Sequence, residues 1–160
     1  MENFQIACFL AGMVFLAGVL RKGRSAEERT FVIGLLLFYG SFIVLEVDTR
    51  RLGMPLLEKI FNGRIRDIWL LLFWLGGAWM FIRNARQTLQ YFVRWLRRPS
   101  GIVLLLAGTF WMAAVVMDKG TLGVKSLFVE ELMEVAATWL MMQSAGLTWF
   151  WQRRGDEDGF

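Results

Sequence analysis

Five apolar runs follow one another along the chain, and short charged segments separate them. They cover residues 3–20, 30–46, 67–82, 101–117 and 131–151. A helix needs about 17–25 mostly apolar residues to cross a bilayer, and these runs approach or reach that length. The pattern predicts an all-α fold, a polytopic membrane bundle of about five transmembrane helices. We expect residues 1–160 to form a single domain, in which residues 152–160 are a short tail.

The connection after the second run, "MPLLEKIFNG", carries a helical pattern of its own. Pro55 suits the first turn of a helix, and Asn62 with Gly63 suits its end. The apolar residues between them share one helical face: Leu56, Leu57, Ile60 and Phe61. The segment is therefore predicted to form a short outer helix that lies on the membrane surface.

The connection after the third run predicts a basic amphipathic helix on the inner side. Its apolar residues recur at i, i+3, i+4 and i+7, namely Leu89, Phe92, Val93 and Leu96. Arginines flank this stripe before Pro99 ends the helix: Arg86, Arg94, Arg97 and Arg98. Because an anionic leaflet attracts such a helix, we predict that these arginines contact the inner membrane surface.

Composition narrows the classes of function that the chain can have. Of the 160 residues, 56% are hydrophobic and 20% are charged, and there is no histidine. The missing histidine excludes His-ligated haem, the usual zinc sites and His-based catalytic triads. The single Cys8 cannot form a disulfide within the chain. The opening "MENFQ" lacks the basic stretch of a signal peptide, so the first run is expected to remain as a membrane helix.

The distribution of Lys and Arg predicts the orientation. The connections after the first and third runs, together with the tail, hold more of these residues than the other two connections. Cytoplasmic loops carry such an excess, so we predict an outer N-terminus and a cytoplasmic C-terminus in the plasma (bacterial inner) membrane. This rule accounts for the basic inner face, and no nucleic-acid partner is expected.

Three glutamates at the head of the fifth run are the strongest candidates for chemistry. Glu130 and Glu131 fit an ordinary role, because the helix dipole stabilises acids near a helix N-terminus. Glu134 lies about one turn deeper, on a face that Thr138 continues, so it needs a partner or a hydrated cavity. The basic residues expected on the same side are Arg50, Arg51, Arg64, Arg66, Lys119 and Lys125.

Two interpretations of these acids are open. In the first, Glu134 forms an interhelical salt bridge or hydrogen bond, which fixes the packing of two helices. In the second, carboxylates converge on a proton or cation site made of Glu134, Glu131, Glu46 and Asp118. A set of oxygen ligands would favour Ca²⁺, Mg²⁺ or Mn²⁺.

The sequence contains no recognisable catalytic set and predicts no cofactor. Our preferred hypothesis is a non-enzymatic accessory or interaction component of a membrane complex, which binds another membrane protein or a second copy of itself. The first alternative is a cation- or proton-coupled transporter or channel that uses the outer carboxylates. The second alternative is a divalent-ion-dependent membrane enzyme that acts on lipid headgroups.

Overall fold

A computed structural model describes residues 2–23, 25–46, 63–83, 85–118 and 127–154 of the chain. These residues form α-helices joined by short turns, and none of them lies in a strand. The helices are α1 (Glu2–Lys22), α2 (Ala26–Glu46), α3 (Gly63–Arg83), α4 (Ala85–Leu96), α5 (Pro99–Asp118) and α6 (Leu127–Arg154). The all-α prediction is therefore confirmed for the described part of the chain.

The long helices pack side by side, with α6 at the centre between α1 and α5. The next neighbour of α1 is α2, and α3 packs against the far side of α2. The short helix α4 crosses one end of the bundle and contacts α2, α3 and α5. Contacts from Gln5 to Glu134 and from Val19 to Gln152 show that α1 and α6 run in the same direction.

The two ends of the bundle differ in charge. Carboxylates collect at the end where α6 begins, which we call the acidic end: Asp118, Glu130, Glu131 and Glu134. Arginines and a lysine collect at the opposite end, which we call the basic end: Arg21, Lys22, Arg83, Arg94, Arg153 and Arg154. Two acids at the start of α2, Glu27 and Glu28, also lie at the basic end.

Three of the described helices are long and apolar enough to cross a membrane. The qualifying stretches are Asn3–Lys22, Ile65–Arg83 and Pro99–Asp118. Both α2 and α6 exceed 18 residues, but each carries several charges in its first turns, such as Glu27 and Glu28 in α2. The structure is thus compatible with a membrane protein, and the count of five spans stays a prediction.

Small and polar residues line the centre of the bundle. One stripe of α6 is buried along most of its length: Ala137, Thr138, Met141, Ser144, Ala145 and Thr148. The buried face of α5 is equally small, with Ser100, Gly101, Ala107 and Ala114. Such residues let helix backbones approach closely, which is the usual basis of helix packing in lipid.

Close approach between α1 and α2 depends on Gly12. A Cβ atom at this position would lie 2.6 Å from Cε1 of Tyr39, whose ring is buried. That ring cannot easily move, because it contacts Phe9 edge to face and its hydroxyl donates a hydrogen bond to the Met141 carbonyl oxygen. Gly12 therefore allows α1, α2 and α6 to meet at one point.

The amphipathic segment is helical, but its buried face is rotated by about one residue from the prediction. The residues turned inward are Thr88 and Trp95, with Tyr91 and Phe92 partly buried, whereas Leu89 and Val93 are largely exposed. The reason is that the tryptophan finds a hydrogen-bond partner inside the bundle, which a periodicity of apolar residues does not reveal. Pro99 begins α5 rather than ending α4, which stops at Leu96.

The predicted outer helix cannot be compared with the structure. Its segment, residues 54–63, lies outside the described residues except for Gly63, where α3 begins. The other predicted runs correspond to helices that extend a few residues further at their ends, as in α6, which begins at Leu127 instead of residue 131.

Candidate functional site

Glu134 lies between α1 and α6, about two turns from the start of α6. Its side chain is partly buried. The hydroxyl of Thr138, which is fully buried, donates a hydrogen bond of 2.8 Å to the backbone carbonyl oxygen of Glu134. The hydrogen-bonding hydroxyl of Thr138 is therefore paired within α6, and the Glu134 carboxylate can face α1.

The group that meets Glu134 is a neutral amide. Nε2 of Gln5 donates a hydrogen bond to Oε2 of Glu134 at 3.4 Å, and Gln5 is only 3% exposed. A distance of 3.4 Å lies beyond the usual range for an N–H···O bond, so this contact is a weak one. The sequence interpretation missed Gln5, although an amide within an apolar run, one turn into the first helix, was a usable signal.

The neighbouring carboxylates gather around Glu130. Desolvation and then the charges of Asp118, Glu134 and Glu131 raise the pKa of Glu130, which stands one residue before the predicted fifth span. Three of the four residues predicted for the ion site, namely Asp118, Glu131 and Glu134, thus lie near enough for their charges to act on Glu130. The fourth, Glu46, is described only as the last residue of α2.

The expected basic partners fall mostly outside the described part of the chain. This is so for Arg50, Arg51, Lys119 and Lys125, and the side chain of Arg64 is not described either. Nε of Arg66 lies 3.7 Å from Oδ1 of its neighbour Asp67. Among the described residues, no three Asp, Glu, Cys or His side chains are grouped closely enough to hold a metal ion.

A second polar cluster joins four helices at the basic end. Nε2 of Gln152 donates hydrogen bonds of 3.1 Å to the carbonyl oxygen of Val19 and to Oε1 of Glu28. The Tyr91 hydroxyl lies near Glu28, whose charge acts on it. Burial, followed by the Glu28 charge, raises the pKa of Tyr91 to about 12. The cluster links α1, α2, α4 and α6, and nothing in the sequence interpretation predicted it.

A chain of buried hydrogen bonds continues from α4 into the bundle. Nε1 of Trp95 donates to Oγ1 of Thr148 at 3.3 Å, and Thr148 donates to the Ser144 carbonyl oxygen at 2.8 Å. The Ser144 hydroxyl in turn donates to the Ser100 carbonyl oxygen at 2.7 Å. These bonds attach α4 and α5 to α6, so the polar atoms here hold the fold together.

The arginines predicted to contact the membrane surface are all exposed: Arg86, Arg94, Arg97 and Arg98. Two further arginines of the basic end lie over aromatic rings. The guanidinium carbon of Arg153 is 3.9 Å from the ring centre of Trp149, and that of Arg154 is 4.6 Å from the ring centre of Phe150. Such contacts are typical of cation–π interactions.

The chain was compared with protein-family models, with curated proteins and with solved structures, and no match was found. A functional proposal for this protein therefore rests on its sequence and on the geometry of its helices.

Proposed function

We propose that the protein is a five-span, non-enzymatic interaction component of a membrane complex. The five long helices support this count, because each has 20 to 28 residues and successive ones alternate in direction across the bundle. A helix of 20 residues spans about 30 Å, which is the thickness of the hydrocarbon core. The charged first turns of α2 and α6 then lie at the membrane surface.

The charge difference between the two ends supports the orientation. The basic end collects exposed arginines from the ends of α1, α3 and α6 and from α4. Under the positive-inside rule this end is cytoplasmic, which puts the N-terminus outside and the C-terminus inside. The amphipathic α4 then lies along the inner leaflet of the plasma (bacterial inner) membrane.

One observation carries the proposed interaction role, namely the exposure of α3. No residue of its 18-residue apolar stretch is buried, and it packs mainly against α2 on one side. The opposite face presents Ile68, Leu72, Gly76 and Trp79 to the surroundings. A glycine between large apolar residues lets a second transmembrane helix approach closely, so this face suits a helix of a partner protein.

The experiment is extraction in a mild detergent followed by native mass spectrometry. We expect a stoichiometric second chain, and we expect Gly76→Leu to remove it by filling the contact point. The matched control is Gly108→Leu on α5, because neither glycine has an atom within 4 Å of the position that a Cβ would take. A lone monomer, or a complex equally sensitive to both substitutions, contradicts the proposal.

A second candidate function, proton or cation translocation, is favoured by the carboxylates at the acidic end. A partly buried Glu134 contacts Gln5, and desolvation together with the charges of neighbouring carboxylates raises the pKa of Glu130. If Glu134 carries the transported ion, Glu134→Gln abolishes flux in proteoliposomes, while the protein still folds and inserts. Normal flux in this variant rules the candidate out.

A further inference from the structure

An apolar groove runs between α2 and α3 towards α4. It consists of two adjoining cavities of about 330 and 270 Å³, which share Gly34, Gly77 and Phe81 in their walls. Gly34 has no atom within 4 Å of the position that a Cβ would take, and at Gly77 only a Leu37 methyl group comes within 3.6 Å. The two glycines therefore leave a slot in the middle of the α2–α3 contact.

The polarity of the groove changes along its length. The part lined by Phe73 and Trp74 has only apolar or aromatic side chains and glycines in its walls. The part nearer the basic end adds two hydroxyl groups, those of Thr30 and Thr88. Thr30 donates to the Ala26 carbonyl oxygen, but the buried Thr88 hydroxyl makes no hydrogen bond within the described chain. An unpaired buried hydroxyl is uncommon and calls for an explanation.

Two arginines at the basic end of the bundle lie within one turn, along their helices, of residues that line the groove. Arg83 directly follows Ile82, which lines the groove, and Arg86 lies one turn before Leu89 on the same face of α4. Both arginines are exposed. The nearby acids have other contacts, since Glu28 accepts a hydrogen bond from Gln152 and Glu27 lies near Arg94. An apolar slot that ends at hydroxyls and then at arginines has the polarity of a lipid.

We propose that this groove binds an anionic phospholipid of the inner leaflet. One acyl chain of the lipid lies between α2 and α3. The glycerol region of the lipid lies near Thr88, and Arg83 and Arg86 bind its phosphate group. The inference depends on the membrane location and orientation proposed above, but not on a protein partner at the opposite face of α3. Arginine is well suited to phosphate because its planar fork donates two parallel hydrogen bonds.

The size of the groove favours an acyl chain over a protein helix. The lining residues of α3 run from Phe73 to Ile82, which is a length of about 14 Å. The slot lies where Gly34 and Gly77 carry no side chain. A gap of side-chain width admits a hydrocarbon chain, whereas a helix about 10 Å across is too wide for it.

The test uses phosphatidylglycerol with a photoactivatable group near the end of one acyl chain, reconstituted with the full chain in vesicles. Phosphatidylcholine that carries the same labelled chain is the comparison. We expect the anionic lipid to label the groove between Phe73 and Ile82 on the order of tenfold more strongly, because each arginine near the surface favours anionic lipid. Equal labelling by the two lipids overturns the proposal.

Two sets of variants separate the acyl site from the phosphate site. Gly34→Leu fills the slot and should abolish labelling in the groove, whereas Gly108→Leu, which also faces open space, should leave it unchanged. The double variant Arg83→Gln with Arg86→Gln should reduce the preference for the anionic lipid to parity and keep the labelling by phosphatidylcholine. If Gly34→Leu does not fold, the lipid preference of the double arginine variant tests the proposal instead.

Three outcomes contradict the lipid site. In the first, the label spreads evenly over the outward face of α3, at Ile68, Leu72 and Trp79, which indicates ordinary surrounding lipid. In the second, the arginine variant keeps the full preference for the anionic lipid. In the third, a protein chain cross-links to the groove and excludes the lipid. Loss of a protein partner in Gly76→Leu leaves the lipid result unchanged, so the two proposals fail separately.

Discussion

The helices α6 and α3 show opposite relations between composition and burial. The central helix α6 carries serine, threonine and alanine on the face that it buries, and it packs between α1 and α5. The peripheral helix α3 is rich in leucine and tryptophan, yet no residue of its apolar stretch is buried. The more polar helix is therefore the more enclosed of the two.

The physical reason is that lipid is as apolar as leucine. Within a membrane, apolar area drives no association between helices, and packing depends on close backbone approach and on hydrogen bonds. On α6, small residues allow the close backbone approach, and Ser144, Thr148 and Thr138 make the hydrogen bonds. If α3 spans a membrane as proposed, its large side chains already have apolar surroundings there, and only Gly76 allows a close helix approach on the outward face.

The largest contrast is expected between the same substitution at two glycines. Gly12→Leu places a side chain where a Cβ already approaches Tyr39 to 2.6 Å, and Tyr39 is fixed by Phe9 and Met141. Overpacking typically costs about 1–3 kcal/mol, and the fixed ring of Tyr39 puts this substitution at the upper end of that range. Gly76→Leu meets open space and should change the free energy of unfolding by less than about 0.5 kcal/mol. Denaturant titration of the purified protein in detergent measures both; equal effects would contradict the comparison.

Two tryptophans provide the next contrast. Trp95 is 1% exposed and donates to Thr148, whereas Trp79 is 69% exposed. Trp95→Phe leaves a cavity and an unpaired Thr148 acceptor, so we expect a loss of about 2 kcal/mol. Trp79→Phe should be neutral in the isolated protein. The same unfolding titration measures both variants, and a neutral Trp95→Phe would show that α4 is not anchored through this bond.

A smaller effect is expected at Glu134. Glu134→Leu leaves the buried Gln5 amide without its acceptor, which should cost about 1 kcal/mol. Glu134→Gln retains an acceptor oxygen of similar reach, so its free energy of unfolding should stay within about 0.5 kcal/mol of the original. If both variants are equally destabilised, then the carboxylate charge, rather than the hydrogen bond to Gln5, is what matters at this position.

The smallest effect concerns pH. The pKa of Glu130 is raised in the folded state above its ordinary value of 4.5, so its contribution to stability is present below pH 4.5 and is lost as the pH rises through the raised pKa. We therefore expect the melting temperature to fall slightly as the pH rises from 4.5 through the raised pKa of Glu130. Glu130→Gln should make the melting temperature nearly independent of pH in this range. If the melting temperature of the variant falls as before, another carboxylate causes the pH dependence.

The apolar runs predicted the long helices because a membrane helix must satisfy its backbone internally, which makes length and hydropathy sufficient signals. The contacts of single side chains were not predictable in the same way. For Glu134 an interhelical salt bridge or hydrogen bond was expected, and among the described residues the structure brings Gln5, which is far away in the chain, into contact. The basic candidates Arg50, Arg51, Lys119 and Lys125 lie outside the described residues. For α4 the buried face was predicted from its apolar spacing, and in the structure a neighbouring face points inward, on which Trp95 donates a hydrogen bond to Thr148.

Three features follow from the amino-acid sequence alone: the all-helical class, the approximate extent of each long helix and the separation of acidic from basic ends. These features depend on local hydropathy and charge, which neighbouring residues already display. The tertiary structure decided which helix lies at the centre, which partner Glu134 meets, and that a groove remains between α2 and α3. Each of these depends on how small residues on different helices meet, and no single apolar run contains that information.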